Sequence, residues 1–334
     1  MNQFNKTSND IKYIGIDIAK SSFVAAFPKG KGYTTTTYKN DPNGIAIFLS
    51  KLDKCLDHCV LEATGNYGCL LVKMLLEADL SVSVINPKQI KHFTKVVNHI
   101  TKTDKVDAEL ISLYGSKMEP KPYKMPLASI QALKQQKTLF AQLKKQLTMC
   151  YNLLESFSVL PKPDTVSLTM VKQTISYLEE QIVILEQQML SITQETYQDL
   201  YKRISSIKGI GNRTTMELIV STGGGNHFES AKQFSKHVGL APIYEHSGSS
   251  VRKKCHINRH GNPQLRSLLY IASWSAIRFN KSCKYFYERL KERGKPGKVA
   301  LIAVANKLIR QVFAIIRDNS FYVDGHLSKL KTIH

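Results

Sequence analysis

Residues 12–18, Lys-Tyr-Ile-Gly-Ile-Asp-Ile, form an apolar run that ends beside a carboxylate, Asp17. Two later segments also carry acidic residues. Residues 60–65, Val-Leu-Glu-Ala-Thr-Gly, place Glu62 at the end of a second apolar run, and residues 102–108, Lys-Thr-Asp-Lys-Val-Asp-Ala, place two acids three residues apart. An ionised carboxylate at the end of a buried strand is costly unless a positive group meets it. The acids of these segments are therefore the first candidates for a functional site.

The segments around residues 12–18 predict an α/β domain over residues 1–125. β-Branched and aromatic runs indicate strands at residues 23–27, 33–38, 58–63 and 80–85, and helices are expected at residues 67–78 and from about residues 88 and 105. Asp41 and Pro42 open another helix as its N-cap and first-turn residue. The order βββαβαβα predicts a mixed sheet flanked by helices, because a meander is followed by crossovers.

This order brings the acids together if Asp17 and Glu62 lie on neighbouring strands and a helix with Asp104 and Asp107 crosses their ends. The i, i+3 spacing puts the last two on one helix face. Carboxylate oxygens are ligands for Mg²⁺ or Mn²⁺, and two such ions ~3.5–4 Å apart can clamp an in-line attack on a phosphodiester. The order of the segments therefore predicts a metal site.

Each acid also has an ordinary explanation when it is taken alone. Asp107 could be a surface acid paired with Lys105 or Lys102. Glu62 could cap a helix that opens near Asn66. The metal site is favoured only because all of these acids occur together in this strand order.

The positive charge of the chain is concentrated in its last third. The whole chain has 47 Lys and Arg against 26 Asp and Glu, a formal charge of +21. Residues 1–125 carry +5, residues 126–200 carry −1 and residues 201–334 carry +17. An excess of Lys and Arg in one segment of the chain is typical of a nucleic-acid-binding protein. The alternative is a generally basic soluble protein. The predicted substrate is therefore a phosphodiester.

Cysteine and hydropathy patterns exclude several other classes of protein. The six cysteines form no disulfide framework, and His246, Cys255, His256 and His260 fit no common zinc spacing. No run approaches the ~18–20 apolar residues of a membrane span, and the polar N-terminus does not resemble a signal peptide. We expect a cytoplasmic protein without a membrane partner.

Apolar residues repeat every seven positions over residues 126–200. One series precedes the break at residues 161–164 and another follows it: Leu133, Phe140, Leu147 and Leu154, then Val171, Leu178, Leu185 and Ile192. This pattern predicts an antiparallel coiled-coil hairpin. Because one hairpin exposes more apolar surface than it buries, we expect an arm that also contacts a second protomer.

The basic segment, residues 201–334, opens with the pattern of a helix-hairpin-helix. Residues 207–211, Ile-Lys-Gly-Ile-Gly, precede a predicted helix at residues 212–220. Gly209 and Gly211 would let backbone N–H groups approach a phosphate near Lys208, and the helix N-terminus would add its dipole. An ordinary glycine turn is the alternative.

A polar loop at residues 243–259 separates the next predicted helices, the later ones spanning Asn262 to Phe279 and about Lys298 to Arg317. The loop contains Ser247, a poor nucleophile unless a base or metal activates it. The basic residues near it could hold phosphate oxygens: Arg252, Lys253, Lys254, Arg259 and Arg266. Spacing alone does not separate Ser247 from Ser249 and Ser250, nor this loop from a simple DNA-contact loop.

Together these motifs resemble the DEDD transposases of bacterial insertion sequences, a family that includes pilin-gene inverting and bridge-RNA-guided recombinases. The matching segments occur in family order along nearly the whole chain: residues 15–20, 62–65, 102–108, 209–211, 239–242, 247–248, 261–262 and 265–266.

The resemblance implies a RuvC-like domain of RNase H fold at residues 1–125, a coiled-coil arm at residues 126–200 and a mostly helical transposase domain at residues 201–334. It implies that Asp17, Glu62, Asp104 and Asp107, here called the acidic tetrad, bind Mg²⁺. It also implies that Ser247 attacks DNA to form a phosphoserine link. It further implies tetramers that pair acidic and serine domains of different protomers. The implied partners are donor and target DNA and a structured guide RNA, and the implied location is the nucleoid in a bacterial cytoplasm.

Two departures from the family pattern affect the basic loop. Gly248 is followed by Ser249 rather than by a second glycine, and residues 258–261, Asn-Arg-His-Gly, lack the serine of the later family motif. Two other functions stay open from the residues alone. One is a junction-resolving nuclease that uses only the acids, and the other is a non-catalytic nucleic-acid-binding protein.

Overall fold

The computed structural model describes residues 11–63, 65–98, 103–225, 228–243, 246–247, 251–252, 256–257 and 261–324. The chain folds as two compact units, residues 1–125 and residues 126–334. The first unit is mixed α/β and the second is mostly helical.

The first unit is built on a five-stranded mixed sheet, as the sequence predicted. Its strands are β1 (Lys12–Ile18), β2 (Ser22–Lys29), β3 (Gly32–Lys39), β4 (Asp57–Glu62) and β5 (Ser81–Ile85). The order across the sheet is β3-β2-β1-β4-β5. The meander β1 to β3 is antiparallel, whereas β4 and β5 run parallel to β1. The carboxyl ends of β1 and β4 therefore meet at one edge.

Four helices cover the two faces of this sheet: α1 (Pro42–Leu49), α2 (Cys69–Glu77), α3 (Pro87–Val96) and α4 (Asp104–Met118). Asp41 caps α1 as predicted, since its carboxylate accepts a hydrogen bond of 2.7 Å from the Gly44 N–H. Phe48 of α1 and Leu71 of α2 share one apolar core with alternate residues of β1. Ile111 of α4 packs with β4 and α3 residues in a separate core, so α3 and α4 lie on the opposite face.

Glycines allow α4 to pack directly on β1. A Cβ at Gly15 would lie 2.1 Å from the Ala108 carbonyl oxygen, and a Cβ at Gly115 would lie 2.9 Å from the Tyr13 Cβ. The Ser112 hydroxyl also donates a hydrogen bond of 2.5 Å to the Tyr13 carbonyl. Since Ala108 lies over Gly15 and Gly115 over Tyr13, α4 runs antiparallel to β1 and begins at the carboxyl end of that strand.

The second unit begins with two long helices, α5 (Ala128–Ser158) and α6 (Thr165–Thr196). They run antiparallel, since the Ser129 and Tyr197 hydroxyls lie 2.7 Å apart and the Tyr151 hydroxyl donates to Glu179. Five residues of the predicted seven-residue series are buried in this unit: Leu133, Phe140, Leu147, Leu178 and Leu185. Ile175, Ile182 and Met189 of α6, which also recur every seven positions, are buried with them.

Among the described residues of this unit, six shorter helices follow: α7 (Gln198–Ser205), α8 (Asn212–Ser221), α9 (Ala231–Val238), α10 (Pro263–Phe279), α11 (Lys281–Glu292) and α12 (Gly297–Asp318). Asn262 caps α10 as predicted and accepts hydrogen bonds of 3.1 Å from the Gln264 and Leu265 N–H groups. Among the described helices, α12 is long and apolar enough to cross a membrane by length and composition. The sequence prediction overlooked this, but α12 also buries Leu301, Leu308 and Val312 in the unit's core, as core helices do.

The predicted polar loop at residues 243–259 contains short strands, which corrects the sequence interpretation. They are β6 (Pro242–Ile243), β7 (His246–Ser247), β8 (Val251–Arg252) and β9 (His256–Ile257). β6 pairs antiparallel with β9, and β7 pairs antiparallel with β8 inside them. We call these four strands the nested hairpin. Strands of two residues are too short to produce a periodic sequence signal.

Candidate functional site

The first two acids of the predicted tetrad lie on neighbouring parallel strands. Asp17 is the penultimate residue of β1 and Glu62 is the last residue of β4. The register pairs Ile16 with Leu61, so the two acids follow at equivalent positions. Strand side chains alternate between faces. Because Ile16 and Leu61 share the core that α1 and α2 cover, Asp17 and Glu62 are on the face that α4 covers.

The other two acids lie in the first turn of α4. Thr103 caps the helix by accepting a hydrogen bond of 3.3 Å from the Val106 N–H. Asp104 and Asp107 follow within that turn. Carboxylates are favourable there because the backbone N–H groups give a helix N-terminus partial positive charge. Since α4 starts at the carboxyl end of β1, these acids approach Asp17.

The surroundings of Asp17 favour its neutral form. Burial, and then the charges of Asp107, Asp104 and Glu62 in that order, together raise the pKa of Asp17 to about 6. A hydrogen bond from the Ile18 backbone offsets only part of this increase. Within the described residues, Asp17 takes part in no ion pair. The site therefore concentrates negative charge around a half-buried acid.

The donor chemistry of this tetrad fits a hard divalent cation, because all four side chains offer carboxylate oxygens. Across the described ranges, no group of three or more His, Cys, Asp or Glu side chains is arranged to hold a metal ion. The structure thus supports a cluster of acids and leaves the metal to be proposed.

Ser247, the predicted nucleophile, is on β7 of the nested hairpin. It is in register with Val251, and Arg252 is in register with His246. The remaining predicted residues of this loop lie outside the described residues: Ser249, Ser250, Lys253, Lys254, Cys255, Arg259 and His260. The structure therefore places Ser247 in a strand pair near the end of a hairpin and in a different unit from the acids.

The predicted helix-hairpin-helix is present as α7 and α8, but its two glycines differ in their surroundings. Gly209 has φ +101°, and a Cβ on it would lie 2.7 Å from backbone atoms of Ala276 in α10. Gly211 has open space on that side. The ammonium group of Lys208 is 3.5 Å from a carboxylate oxygen of Asp324. Gly209 thus has a packing role, while Gly211 stays accessible.

Arg266 also has a structural partner. Its guanidinium donates a hydrogen bond of 3.2 Å to the Val238 carbonyl at the end of α9. It lines a basic cavity with Lys298, Lys307 and Arg310, which the sequence interpretation did not select. The spacing of positions 299, 303, 306, 307 and 310 along α12 is the signal that could have revealed this face.

Two family models match the chain in separate segments. A DEDD transposase model of the IS110 type matches residues 14–159, which include all four acids. A model described as the IS116/IS110/IS902 transposase family matches residues 201–288, which include the nested hairpin.

Whole-chain relatives agree with these matches. The chain is 31% identical over 321 residues to the pilin gene-inverting protein of Moraxella lacunata, covering 92% of this chain and 96% of that protein. The chain belongs to the IS110 family of DEDD transposases. A transposase for insertion sequence element IS1111A of Coxiella burnetii is 24% identical over 354 residues, covering 96% of this chain and 93% of that protein.

Membership in this family makes the protein a transposase or recombinase that acts on DNA. The basic charge of residues 201–334 agrees with a DNA partner.

Proposed function

We propose that the protein is the recombinase of an insertion sequence in which the acidic tetrad holds Mg²⁺ or Mn²⁺ and Ser247 is the nucleophile. The observation that carries this proposal is the approach of Glu62, Asp104 and Asp107 to Asp17 at the carboxyl edge of the sheet. Four carboxylates near one edge of a sheet cost stability. We therefore assign them a functional role.

The proposed reaction is the exchange of phosphodiester bonds through a covalent serine link. The Ser247 oxygen bonds to the phosphorus of a DNA strand while the bond from phosphorus to one deoxyribose oxygen breaks. The Ser247 proton passes to a base, and the released deoxyribose oxygen takes up a proton. Attack by a hydroxyl of another DNA end reverses these changes, joins the strands and frees Ser247.

A divalent cation at the tetrad would stabilise negative charge on the phosphate and lower the pKa of an attacking hydroxyl. This chain's own residues have separate tasks. The acids hold the cation, and basic groups of the second unit, including Arg252, hold the DNA backbone.

We propose an RNase H-like, RuvC-like fold for residues 1–125. Support comes from the sheet order β3-β2-β1-β4-β5, with the three-strand meander first and the acids at the ends of β1 and β4. We propose that residues 126–200 form a coiled-coil arm and residues 201–334 the transposase domain. Support for the arm comes from the seven-residue spacing of buried residues along α5 and α6.

The arm also supports a homo-oligomer, a dimer or a tetramer. Large apolar side chains stay exposed on both long helices, among them Met149, Leu153, Met170 and Val183. A second copy of this chain would cover them. Light scattering of the free and DNA-bound protein tests this, and a monomer in both samples would contradict it. Val183→Glu should favour smaller species, whereas Lys172→Glu on an exposed position of the same helix should not.

A structured guide RNA and a nucleoid-associated place in the bacterial cytoplasm complete the proposal. The net charge of +17 on residues 201–334 suits binding of both DNA and RNA. Co-purification of an RNA of defined sequence with the protein, released by protease but not by DNase, tests the guide.

The experiment that tests the proposed chemistry is detection of a covalent protein–DNA product on a denaturing gel. DNA that carries the element's ends is incubated with Mg²⁺ and wild-type protein, Ser247→Ala or Asp17→Ala. Both variants should lose the adduct, while Ser249→Ala and the surface variant Glu77→Gln should retain it.

Free DNA ends without an adduct would instead indicate a nuclease that uses the tetrad alone. Salt-sensitive DNA binding that persists when all four acids are neutralised, with no Mg²⁺-dependent product from wild-type protein, would indicate a non-catalytic binding protein.

A further inference from the structure

A cavity of about 1080 Å³ lies in the second unit between the strands β6 and β9 and the helices α10, α11 and α12. Pro242 and Ile257 contribute to it from the nested hairpin that carries Ser247. Among the described residues that line it, five are Lys or Arg and none is Asp or Glu: Arg266, Lys295, Lys298, Lys307 and Arg310. The cavity therefore favours an anion.

Within the described residues, most of these cations have no acidic partner to neutralise them. In the described part of the chain, Lys295, Lys298, Lys307 and Arg310 take part in no ion pair. Lys295 and Lys298 flank the N-terminus of α12, where the helix dipole adds further positive charge. Like charges held close together repel, and a phosphate group would relieve that repulsion.

One part of the cavity is apolar. Val299, Ile302 and Ala303 line it from a single face of α12, and the Phe286 ring lines it from α11. The Lys307 ammonium lies 5.3 Å from the centre of that ring. Val299 is 51% exposed although it is apolar. An aromatic ring and aliphatic side chains beside cations provide a surface for a flat, uncharged group such as a nucleobase.

Asn306 supplies an unused hydrogen-bond acceptor beside this apolar surface. Its Nδ2 donates a hydrogen bond of 3.2 Å to the Leu240 carbonyl, which fixes the orientation of the amide. Its Oδ1 is buried and has no hydrogen-bond partner. A buried acceptor without a partner is destabilising, so a ligand N–H would be favourable there.

We propose that this cavity seats one unstacked nucleotide of a single nucleic-acid strand. The cations hold its phosphates, Phe286 and Val299 contact its base, and Asn306 accepts a hydrogen bond from a base N–H. We call the cavity the nucleotide seat. The nucleotide seat rests on one part of the proposed function, namely that the protein binds a nucleic-acid strand. It requires neither the acidic tetrad nor the Ser247 hydroxyl.

The test is fluorescence anisotropy with fluorescein-labelled hexathymidylate, without divalent cation, on the full-length chain. A fully abasic hexamer with the same phosphates measures the contribution of the base, and hexauridylate measures that of the ribose hydroxyl. Wild-type protein should bind hexathymidylate about 10-fold more tightly than the abasic strand. The tighter of the thymidylate and uridylate strands identifies the occupant as DNA or RNA.

Variants separate the phosphate contacts from the base contact. The double variant Lys307→Gln, Arg310→Gln should weaken binding of all strands. It should also reduce the slope of log affinity against log salt concentration by about 1.4. Asn306→Leu should leave that slope unchanged and reduce the preference for the strand with bases. Lys232→Gln, an exposed lysine of α9 outside the cavity, is the matched control. Circular dichroism melts confirm that each variant is folded.

Two results would overturn the nucleotide seat. One is a double variant whose affinity and salt slope equal those of the control. The other is wild-type protein that binds the abasic strand as tightly as hexathymidylate, which would make the cavity a simple basic patch. The assay contains no divalent cation, so its outcome is separate from that of the Mg²⁺-dependent covalent chemistry.

Discussion

Gly15 of β1 and Ser112 of α4 are in direct backbone contact: a Cβ on Gly15 would lie 2.2 Å from the Ser112 nitrogen. No side chain can occupy that space without moving the helix or the strand. Since Asp17 is two residues beyond Gly15 and α4 carries two acids in its first turn, this contact fixes the spacing of the tetrad.

Gly15→Ala is expected to shift α4 away from the sheet and reduce Mg²⁺-dependent DNA cleavage at least about 10-fold. The overpacking should also lower the free energy of unfolding by about 1–3 kcal/mol. Gly32→Ala, at a strand glycine with open space around it, is the matched control and should do neither. Denaturant titration and a cleavage assay check this, and equal behaviour of the two variants would contradict it.

Asp17→Asn is expected to stabilise the protein at pH 8 in the presence of a chelator. The folded-state pKa of Asp17 is about 6, above its ordinary value of 3.8. Its contribution to stability is therefore complete below pH 3.8 and is lost as the pH rises through 6. Asn cannot ionise, so the variant avoids this loss. The gain in the free energy of unfolding at pH 8 is about 1 kcal/mol, because solvent screens the charge of a half-exposed group.

Thermal melts of Asp17→Asn and wild-type protein at pH 4 and pH 8 measure this difference. The melting temperatures should agree at pH 4 and differ at pH 8. The Glu77→Gln control should follow wild type at both values, and an Asp17→Asn variant no more stable at pH 8 would refute the electrostatic account.

Lys137→Met is expected to destabilise the second unit by about 3–5 kcal/mol, because it leaves the buried Glu217 carboxylate without its cation. Lys137 of α5 forms an ion pair with Glu217 of α8. The Glu217 residue is 6% exposed, and its carboxylate also accepts a hydrogen bond of 3.1 Å from Asn262, the N-cap of α10. Urea denaturation measures the loss. The double variant Lys137→Met, Glu217→Leu should recover most of it, and a double variant as unstable as the single one would contradict this explanation.

Local signals made much of this fold predictable. Pro after a polar N-cap located α1 and α10, and apolar, β-branched and aromatic runs located the five strands. The acids of the tetrad could be selected because each follows a recognisable strand or opens a helix. Contacts between distant segments could not be selected in this way. Lys137 and Glu217 are 80 residues apart, and nothing in either segment specifies the other.

The hairpin before α8 has a packing constraint that its sequence pattern did not reveal. Gly209, which is predicted to approach a phosphate, has a positive φ and lies against Ala276 of α10. A glycine pattern specifies close approach of a backbone without specifying what approaches it. The nested hairpin was missed for a different reason, because strands of two residues have no measurable period.

Lys208→Gln is expected to lower the salt slope of duplex DNA binding by about 0.9, the value for one lost phosphate contact. Gly211→Ala should weaken DNA binding without loss of stability, since its Cβ side is open. Gly209→Ala should instead destabilise the protein because of its φ of +101°. Anisotropy over a salt series and thermal melts measure these effects. A Lys208→Gln slope equal to that of wild type would assign Lys208 only to its ion pair with Asp324.

The most direct test of the central claim is to locate the DNA link within the protein by mass spectrometry. Wild-type protein is incubated with Mg²⁺ and DNA bearing the element's ends, then digested with nuclease and protease. We predict a nucleotide phosphate on Ser247 that is absent with chelator and absent from Asp17→Asn. Attachment at Ser249 or Ser250, or cleaved DNA with no attached peptide, would contradict the assignment of Ser247 as the nucleophile.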